Sequence, residues 1–319
     1  MSYVKWIRSK VGSRKVFLVY ATVIVQDKYG RILLQRRTDF DFWGLPGGVL
    51  ELNEDIQQCA RRELLEETGL TVGELSLVGI YTHPDYDVCY PNGDQVQQFT
   101  VCFVGTVNGG VLQADGRETT AHCFWPLAET AVLDIPPWYR AMLQDWESGR
   151  IPAFSPPFTN GHVVDQIQNV RPFIGTSPLI AVGAFVAATR EDGRLLMIQR
   201  SDTKTWAMPA GFCDLGENVA HAAVRELFEE TGYRIQIDRL MGVYSDPHFH
   251  HTYDNGDQVK NVGATFRATI IGGSHQPDQI ETLAVDWVAP EDIMSKVDAF
   301  LHPLAQQIVR CLDDGTFVI

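Results

Sequence analysis

A pattern of 23 residues occurs twice in this 319-residue chain, and it restricts the possible folds more than any other feature. The first copy, residues 48–70, reads GVLELNEDIQQCARRELLEETGL. The second copy, residues 211–233, reads GFCDLGENVAHAAVRELFEETGY. Glycine, arginine and glutamate recur at the same places in both copies, at a constant offset of 163 (211 − 48). The repeat therefore indicates two similar units rather than one large domain.

Each copy combines a glycine turn with a helix that carries several glutamates. Gly48 allows the backbone to bend and to approach a ligand closely. The pattern predicts a helix over residues 54–68, with Glu63, Glu66 and Glu67 at positions i, i+3 and i+4. Their carboxylates share one face and repel one another. A divalent cation would turn this repulsion into attraction, and hard oxygen ligands in this number favour Mg²⁺ or Mn²⁺.

The second copy offers the same chemistry at Glu226, Glu229 and Glu230. The alternative is a solvated acidic helix end, which is the commoner origin of one isolated motif of this kind. Here the upstream glycine and glutamate are in register with the helix in both copies. This repetition favours a metal site over a solvated helix end.

The duplication extends well beyond the two copies of the pattern. The offset of 163 holds as far as Glu118, which returns as Glu281. A segment with several prolines, residues 151–162, separates the halves and is typical of a linker. We therefore predict domains at residues 1–150 and 163–319, each long enough to bury its own core. The linker is long enough for the two domains to pack as an intramolecular pseudo-dimer, which we expect.

Local patterns predict strands and a closing helix in the first half. Residues 17–26 and 31–37 are rich in apolar and β-branched side chains and flank a turn, as in a β-hairpin. The local pattern also predicts strands at residues 75–81 and 95–107. Residues 137–147 carry large apolar side chains at nearly helical spacing, which predicts a helix.

Composition argues against several classes of function. The net charge of −14 and the pI near 5.0 argue against a dedicated surface for nucleic acids or anionic membranes. No stretch approaches about 18 continuous apolar residues, so we expect no membrane span. The six cysteines lack the spacing of a disulfide framework, which indicates free thiols. The first residues lack the apolar run of a signal peptide, and we expect a cytoplasmic location.

Both copies of the pattern resemble the Nudix box of Nudix hydrolases, with Tyr233 as the one departure, at a position that is usually aliphatic. The resemblance covers most of both halves. It implies an α/β fold of two tandem Nudix-type α/β/α sandwich domains, each with a mixed β-sheet and a loop–helix–loop box. It also implies a pyrophosphohydrolase that uses Mg²⁺ or Mn²⁺. Its substrate would be a nucleoside diphosphate linked to another moiety, with ADP-ribose-like compounds or dinucleotides favoured.

The resemblance also implies roles for individual residues. Arg62 and Arg225 would orient the carboxylates, with Glu54 and Glu217 as their structural partners or as outer-sphere ligands. The metal ligands and candidate catalytic groups would be Glu63, Glu66, Glu67 and the Gly48 carbonyl in the first half, and Glu226, Glu229, Glu230 and the Gly211 carbonyl in the second.

The general base has two candidates in each half. In the family it is either a box glutamate or a glutamate on a later loop. Glu63 and Glu226 are the candidates in the box. Glu118 and Glu281, which precede a predicted strand, are the candidates on the later loop.

Three pairs of residues are candidates for substrate binding, namely Arg37 and Arg200, Trp43 and Trp206, and Tyr86 and Phe249. An arginine can hold phosphate bidentately, and a tryptophan can stack on a base, although core packing is the alternative for each tryptophan. In related enzymes a proline about this far past the box is associated with ADP-ribose hydrolysis, and Pro84 and Pro247 fit roughly. A slightly later tyrosine is associated with diadenosine polyphosphate hydrolysis, and Tyr86 fits whereas Phe249 does not. The two associations conflict in the first half and leave the substrate open.

A second hypothesis belongs to a different class of protein, a nucleotide-binding sensor or scaffold in which one repeat is not catalytic. Loss of the box carboxylates in either half would favour it. Both halves keep every box carboxylate and the arginine, which favours the enzyme. Because the loops differ between the halves, the two sites can also differ in substrate.

Overall fold

The computed structural model describes residues 1–38, 40–113, 119–276 and 280–319. The chain divides into two compact units, Met1–Phe154 and Ser155–Ile319. Each unit contains a mixed β-sheet with helices packed on it, which confirms the predicted α/β class.

The first unit is built on two long parallel strands, β1 (Val16–Gln26) and β8 (Gln95–Gly110). Antiparallel strands flank this pair, so the sheet is mixed. The other described strands are β2 (Ile32–Arg37), β3 (Trp43–Gly44), β4 (Gly47–Val49), β5 (Leu70–Val72), β6 (Ser76–Tyr81), β7 (Val88–Cys89) and β9 (Thr119–Trp125). The described helices are α1 (Tyr3–Val11), α2 (Ile56–Thr68) and α3 (Pro137–Ser148), with short 3₁₀ helices at Pro84–Tyr86 and Leu127–Val132.

The second unit repeats this plan around the parallel strands β11 (Leu179–Thr189) and β18 (Gln258–Gly273). The other described strands are β10 (Thr159–Val164), β12 (Leu195–Arg200), β13 (Trp206–Ala207), β14 (Ala210–Phe212), β15 (Leu215–Glu217), β16 (Tyr233–Tyr244), β17 (His250–Thr252), β19 (Thr282–Val288) and β20 (Phe317–Val318). The described helices are α4 (Gln166–Ile174), α5 (Val219–Thr231), α6 (Ile293–Lys296) and α7 (His302–Arg310), with 3₁₀ helices at Pro247–Phe249, Pro290–Asp292 and Ala299–Leu301.

The local sequence explains where these elements form. The strands predicted at residues 17–26, 31–37, 75–81 and 95–107 are confirmed as β1, β2, β6 and β8, and the helix predicted at 137–147 is α3. Nearly every residue of β1 is buried, as expected for a strand in the middle of a covered sheet. Of the helices in the described part of the chain, none is long and apolar enough to cross a membrane.

Side-chain caps fix the ends of the box helix. The Asp55 side chain accepts hydrogen bonds from backbone N–H groups in the first turn of α2, and the Gln58 side chain accepts one from the Asp55 N–H, so the two form a capping box. Gly69 ends the helix in the left-handed conformation, with φ of 71°. The register of the sheet then sets the turn against the helix, because Gly48 on β4 lies opposite Ala21 on β1, and α2 packs on both strands.

The proline-containing segment before the second unit contains a strand. β10 begins within the predicted linker, residues 151–162, and pairs antiparallel with β15. Asn218, the cap of α5, accepts a hydrogen bond from the Phe158 N–H and donates one to the Pro156 carbonyl. This segment is thus tied to the start of the second box helix, while the domain boundaries at residues 150 and 163 stay predictions.

Candidate active sites

In the first unit a glycine backbone lies directly against a glutamate carboxylate. Gly48 is on β4, and Glu63 is on α2, which packs against β4. A Cβ atom added to Gly48 would lie 2.2 Å from Cδ of Glu63 and 2.4 Å from its Oε1. Only a residue without a side chain lets the carboxylate come this close to the main chain. The predicted glycine and the predicted box glutamate are therefore brought together.

Arg62 connects three glutamates of the same box. Its Nε and Nη2 donate to the two oxygens of Glu54, at 2.9 and 2.6 Å. Its Nη1 donates to Glu63 at 2.8 Å and to Glu66 at 3.3 Å. Burial raises the pKa of Glu54, but the hydrogen bonds from Arg62 and from the Glu51 N–H outweigh it and hold that pKa below its ordinary value. The bidentate contact fixes the plane of the guanidinium, and the guanidinium in turn orients the other carboxylates.

Glu67 is the buried carboxylate of this site, with 5% of its surface exposed. Its Oε2 accepts hydrogen bonds from the Gly47 N–H at 2.9 Å and from Nε2 of Gln35 at 3.0 Å. Burial raises the pKa of Glu67 to about 8 in spite of these hydrogen bonds, and the charge of Glu63 raises it further. A carboxylate in this position carries its proton near neutral pH unless a cation approaches it. We call the group formed by Gly48, Glu54, Arg62, Glu63, Glu66 and Glu67 site 1.

The second unit repeats this geometry in site 2, which consists of Gly211, Glu217, Arg225, Glu226, Glu229 and Glu230. A Cβ atom added to Gly211 would lie 2.0 Å from Cδ of Glu226. Arg225 donates to the two oxygens of Glu217 at 3.2 and 2.6 Å, to Glu226 at 2.8 Å and to Glu229 at 3.1 Å. The same residue types at the same spacing thus produce the same network twice.

The carboxylate of Glu217 also contacts a histidine of the second box helix. Nδ1 of His221 lies 2.5 Å from Oε2 of Glu217, whose side chain is completely buried. Burial raises the pKa of Glu217, but Arg225 and the Asp214 N–H outweigh it and keep the pKa below its ordinary value. In α2 the corresponding residue is Gln58, which forms the capping box instead.

Burial and neighbouring acidic groups raise the pKa values of two glutamates in site 2. Glu230 is 5% exposed, and its Oε2 accepts the Ala210 N–H at 3.1 Å. Burial raises the pKa of Glu230 well above its ordinary value, and the charge of Glu226 adds to the effect. Burial likewise raises the pKa of Glu226 to about 7, against the opposing charge of Arg225. The charge of Glu281 raises both pKa values, so this candidate base lies near the box glutamates.

Glu118, the matching candidate in the first half, lies outside the described residues.

The predicted substrate-binding residues of the second unit have different surroundings. Arg200 makes two hydrogen bonds to Asp202, at 3.0 and 2.7 Å, and its charge lowers the pKa of Glu230. Phe249 is buried in the hydrophobic core. Trp206 packs against the same core. Of the three, only Arg200 is shown by these interactions to act on a box glutamate.

In the first unit, too, the predicted arginine lies near the box glutamates, whereas the predicted aromatic residues pack against the core. The charge of Arg37 lowers the pKa of Glu67, which places the arginine near site 1. Trp43 packs against the core and lies edge-on to Trp125, with 6.0 Å between the ring centroids. Tyr86 is half-buried against the same core. Core packing, the alternative considered for the tryptophans, describes the position of Trp43.

Two residues near the carboxylates were missed by the sequence reasoning. Gln35 is a completely buried amide in β2, where it directly follows three apolar residues and precedes two arginines, so the local sequence gives little signal that it is buried. His221 lies four positions after Glu217, a spacing that brings side chains together on a helix, although Glu217 itself precedes α5.

The donor set of each site fits a hard divalent cation. Three carboxylates and a glycine peptide supply oxygen ligands, which Mg²⁺ and Mn²⁺ prefer. Within the described ranges, no three His, Cys, Asp or Glu side chains already stand in a coordination shell. Arg62 and Arg225 each hold one oxygen of two box glutamates. A cation would therefore compete with an arginine for these oxygens.

Comparison with known proteins agrees with this geometry. A sequence model described as NUDIX domain matches residues 16–146 and 179–310. A putative 8-oxo-dGTP diphosphatase of Bacillus subtilis is 36% identical over 133 residues, which cover 42% of this chain and 80% of the relative. An ADP-ribose pyrophosphatase of Methanocaldococcus jannaschii is 37% identical over 101 residues, which cover 31% of this chain and 56% of the relative.

Among solved structures, the NUDIX domain of Shewanella oneidensis NrtR complexed with ADP ribose is similar, with a TM-score of 0.37 and 17% identity. The match covers 47% of this chain and 99% of that one. The two matches to the family's sequence model together span most of the chain. The chain therefore belongs to the Nudix hydrolase family, with two Nudix domains in tandem.

Proposed function

We propose that both sites hydrolyse a pyrophosphate bond in a nucleoside diphosphate linked to another moiety, with Mg²⁺ or Mn²⁺ as the cofactor. The observation that carries this proposal is the same in both units. One glycine peptide, three glutamates and one arginine converge, and one glutamate of each set is buried where its charge is disfavoured. A site of this kind gains most from a bound cation.

The residues of site 1 would have different roles in metal binding and in the orientation of the ligands. Glu63, Glu66, Glu67 and the Gly48 carbonyl would hold the cation. When bound, the cation would neutralise phosphate oxygens and lower the pKa of a water molecule that attacks phosphorus. Arg62 keeps two of the carboxylates in place, and Glu54 fixes Arg62 by its bidentate contact. In site 2 the same tasks fall to Gly211, Glu217, Arg225, Glu226, Glu229 and Glu230.

The attacking water must give its proton to a base. In site 2 both candidates, Glu226 and Glu281, are close enough for the charge of Glu281 to raise the pKa of Glu226. A bound cation would lower the pKa of Glu226, which is also one of its proposed ligands. Glu226 and Glu281 therefore both stay candidates for the base of site 2, as do Glu63 and Glu118 for site 1.

ADP-ribose-like compounds are the first substrates to test. One relative is named an ADP-ribose pyrophosphatase and another a putative 8-oxo-dGTP diphosphatase. Pro84 and Pro247, whose position past the box is associated with ADP-ribose hydrolysis, each begin a 3₁₀ helix. Arg37 and Arg200 lie near the buried glutamates and would contact a substrate phosphate. The other predicted substrate contacts, Trp43, Trp206, Tyr86 and Phe249, stay predictions, as do the cytoplasmic location and the pseudo-dimer packing.

The test is product formation from a panel of nucleotides, measured with Mg²⁺, with Mn²⁺ and with EDTA. The panel should contain ADP-ribose, dinucleoside polyphosphates, NADH, nucleotide sugars and oxidised nucleoside triphosphates. Turnover of at least one compound that stops in EDTA supports the proposal. Tight binding of these compounds without turnover would contradict it and would favour a nucleotide-binding sensor or scaffold.

A further inference from the structure

We propose that Gln35 is a positioning residue of site 1 alone and that it makes site 1 the tighter of the two metal sites. This inference rests on the proposed metal-dependent function. The two boxes carry the same glutamates and the same arginine, so the difference between the units lies outside the boxes, at the position of Gln35.

Gln35 acts on the glutamate that is buried most deeply in site 1. It lies on β2 and is completely buried. Its Nε2 donates to Oε2 of Glu67 at 3.0 Å, and the Gly47 N–H donates to the same oxygen at 2.9 Å. Two donors on one oxygen fix the rotation of the carboxylate. Oε1 is then the oxygen of Glu67 that can serve a cation.

His122 holds Gln35 in the orientation that this contact needs. The two residues lie opposite each other in the antiparallel pair of β2 and β9. Nε2 of His122 is 3.3 Å from Oε1 of Gln35. Because the amide NH₂ of Gln35 faces Glu67, its oxygen is an acceptor, and Nε2 of His122 must be the donor. A chain of three side chains, His122, Gln35 and Glu67, thus runs from β9 to site 1.

Site 2 replaces the first two members of this chain with apolar residues. The positions of Gln35 and His122 are occupied by Ile198 and Val285, at the same offset of 163 (198 − 35 and 285 − 122). These two residues also lie opposite each other, in the pair of β12 and β19. Neither side chain can donate a hydrogen bond to Glu230. The Ala210 N–H, at 3.1 Å, is the counterpart of the Gly47 contact.

The hydrogen bond from Gln35 should change the metal affinity of site 1 by a measurable factor. Residues that hold a metal ligand by a hydrogen bond typically change metal affinity or activity about 10- to 100-fold when they are replaced. We therefore expect Gln35→Met, which keeps the length of the side chain but removes the donor, to raise the dissociation constant of site 1 for Mn²⁺ about 10- to 100-fold.

The experiment measures Mn²⁺ binding by electron paramagnetic resonance in full-length proteins that keep one working site. Glu230→Gln leaves site 1, and Glu67→Gln leaves site 2. Gln35→Met should weaken Mn²⁺ binding in the first protein and leave the affinity of the second unchanged. An unchanged dissociation constant in the first protein, or an equal loss in both, would overturn the proposal. Absence of Mn²⁺ binding in both parent proteins would instead show that the proposed metal sites are wrong.

Two further variants keep the inference testable if Gln35→Met does not fold. His122→Val removes the residue behind the amide and should weaken Mn²⁺ binding at site 1 by a smaller factor. Ile198→Gln together with Val285→His builds the chain into site 2 and should tighten Mn²⁺ binding there. No change at site 1 in His122→Val would count against the proposal. In activity assays the Gln35 effect should appear as a higher Mn²⁺ requirement, with the KM for substrate unchanged at saturating metal.

Discussion

Replacement of Gly48 with alanine should disable site 1 without unfolding the protein. The added Cβ would lie 2.2 Å from Cδ of Glu63, whereas ordinary contact begins at 3.4 Å. The carboxylate must therefore move by at least 1.2 Å (3.4 − 2.2). The backbone of Gly48 is outside the left-handed region, so alanine brings no backbone strain, and the group that must yield is the end of a flexible side chain.

The expected loss of activity follows from the distance by which the Glu63 carboxylate must move. A misplacement of about 1 Å in a catalytic site can reduce the rate about 10²-fold. We therefore expect kcat/KM of site 1 to fall about 10²-fold in Gly48→Ala. The free energy of unfolding should change by less than about 1 kcal/mol, because glycine to alanine in an allowed conformation is a small change.

The assay uses the Glu230→Gln background, so that only site 1 contributes, and measures kcat/KM together with unfolding in urea. Gly272→Ala is the matched control, because a Cβ atom added there meets nothing within 4 Å. Gly211→Ala in the Glu67→Gln background should reproduce the loss in site 2. Full activity in Gly48→Ala would show that site 1 does not need the Glu63 carboxylate at this position.

Three more predictions follow from the charges of the two sites. Arg225→Met should lower the free energy of unfolding by up to about 3–5 kcal/mol, and Arg62→Met should lower it by less. The reason is that Glu217, the partner of Arg225, is completely buried, whereas the side chain of Glu54, the partner of Arg62, is 13% exposed. Urea unfolding of both variants tests this, and an equal loss would contradict it. With EDTA present, the free energy of unfolding should fall as the pH rises from about 4.5 to about 8 and then level off, because between these values the folded state holds a proton on Glu67 that the unfolded state has lost. Glu67→Gln should flatten this fall, measured by urea unfolding from pH 5 to pH 9, and an unchanged slope would count against it. Binding of Mg²⁺ at pH 7 should release protons, which calorimetry in buffers of different ionisation enthalpy detects, and Glu67→Gln should release fewer.

The box itself could be predicted from sequence because its geometry is local. The spacing of Glu63, Glu66 and Glu67 is enough to place three carboxylates on one face of a helix. Gly69 marks the end of that helix by the same local reasoning. The predicted Nudix family and the pyrophosphohydrolase class are confirmed by the family match and by the relatives, and the predicted α/β class is confirmed by the structure.

The remaining features depend on contacts between distant segments. The parallel pairing of β1 with β8 joins Val16 to Val96, and no local pattern specifies it. The contact of Gln35 with His122 requires the register of β2 against β9. Phe249 is another such case. Its position past the second box makes it a candidate for substrate binding, while the 3₁₀ helix at Pro247–Phe249 buries it in the core, and a substrate contact stays a prediction.

We propose two separate metal-dependent pyrophosphohydrolase centres in this protein, one at each site. The most direct measurement is product release from the substrate panel, with Mg²⁺, by the intact protein, by Glu67→Gln, by Glu230→Gln and by the double variant. We predict that each single variant loses the activity of one site and that the double variant loses all activity while remaining folded. Activity that survives in the folded double variant would contradict the assignment of both sites.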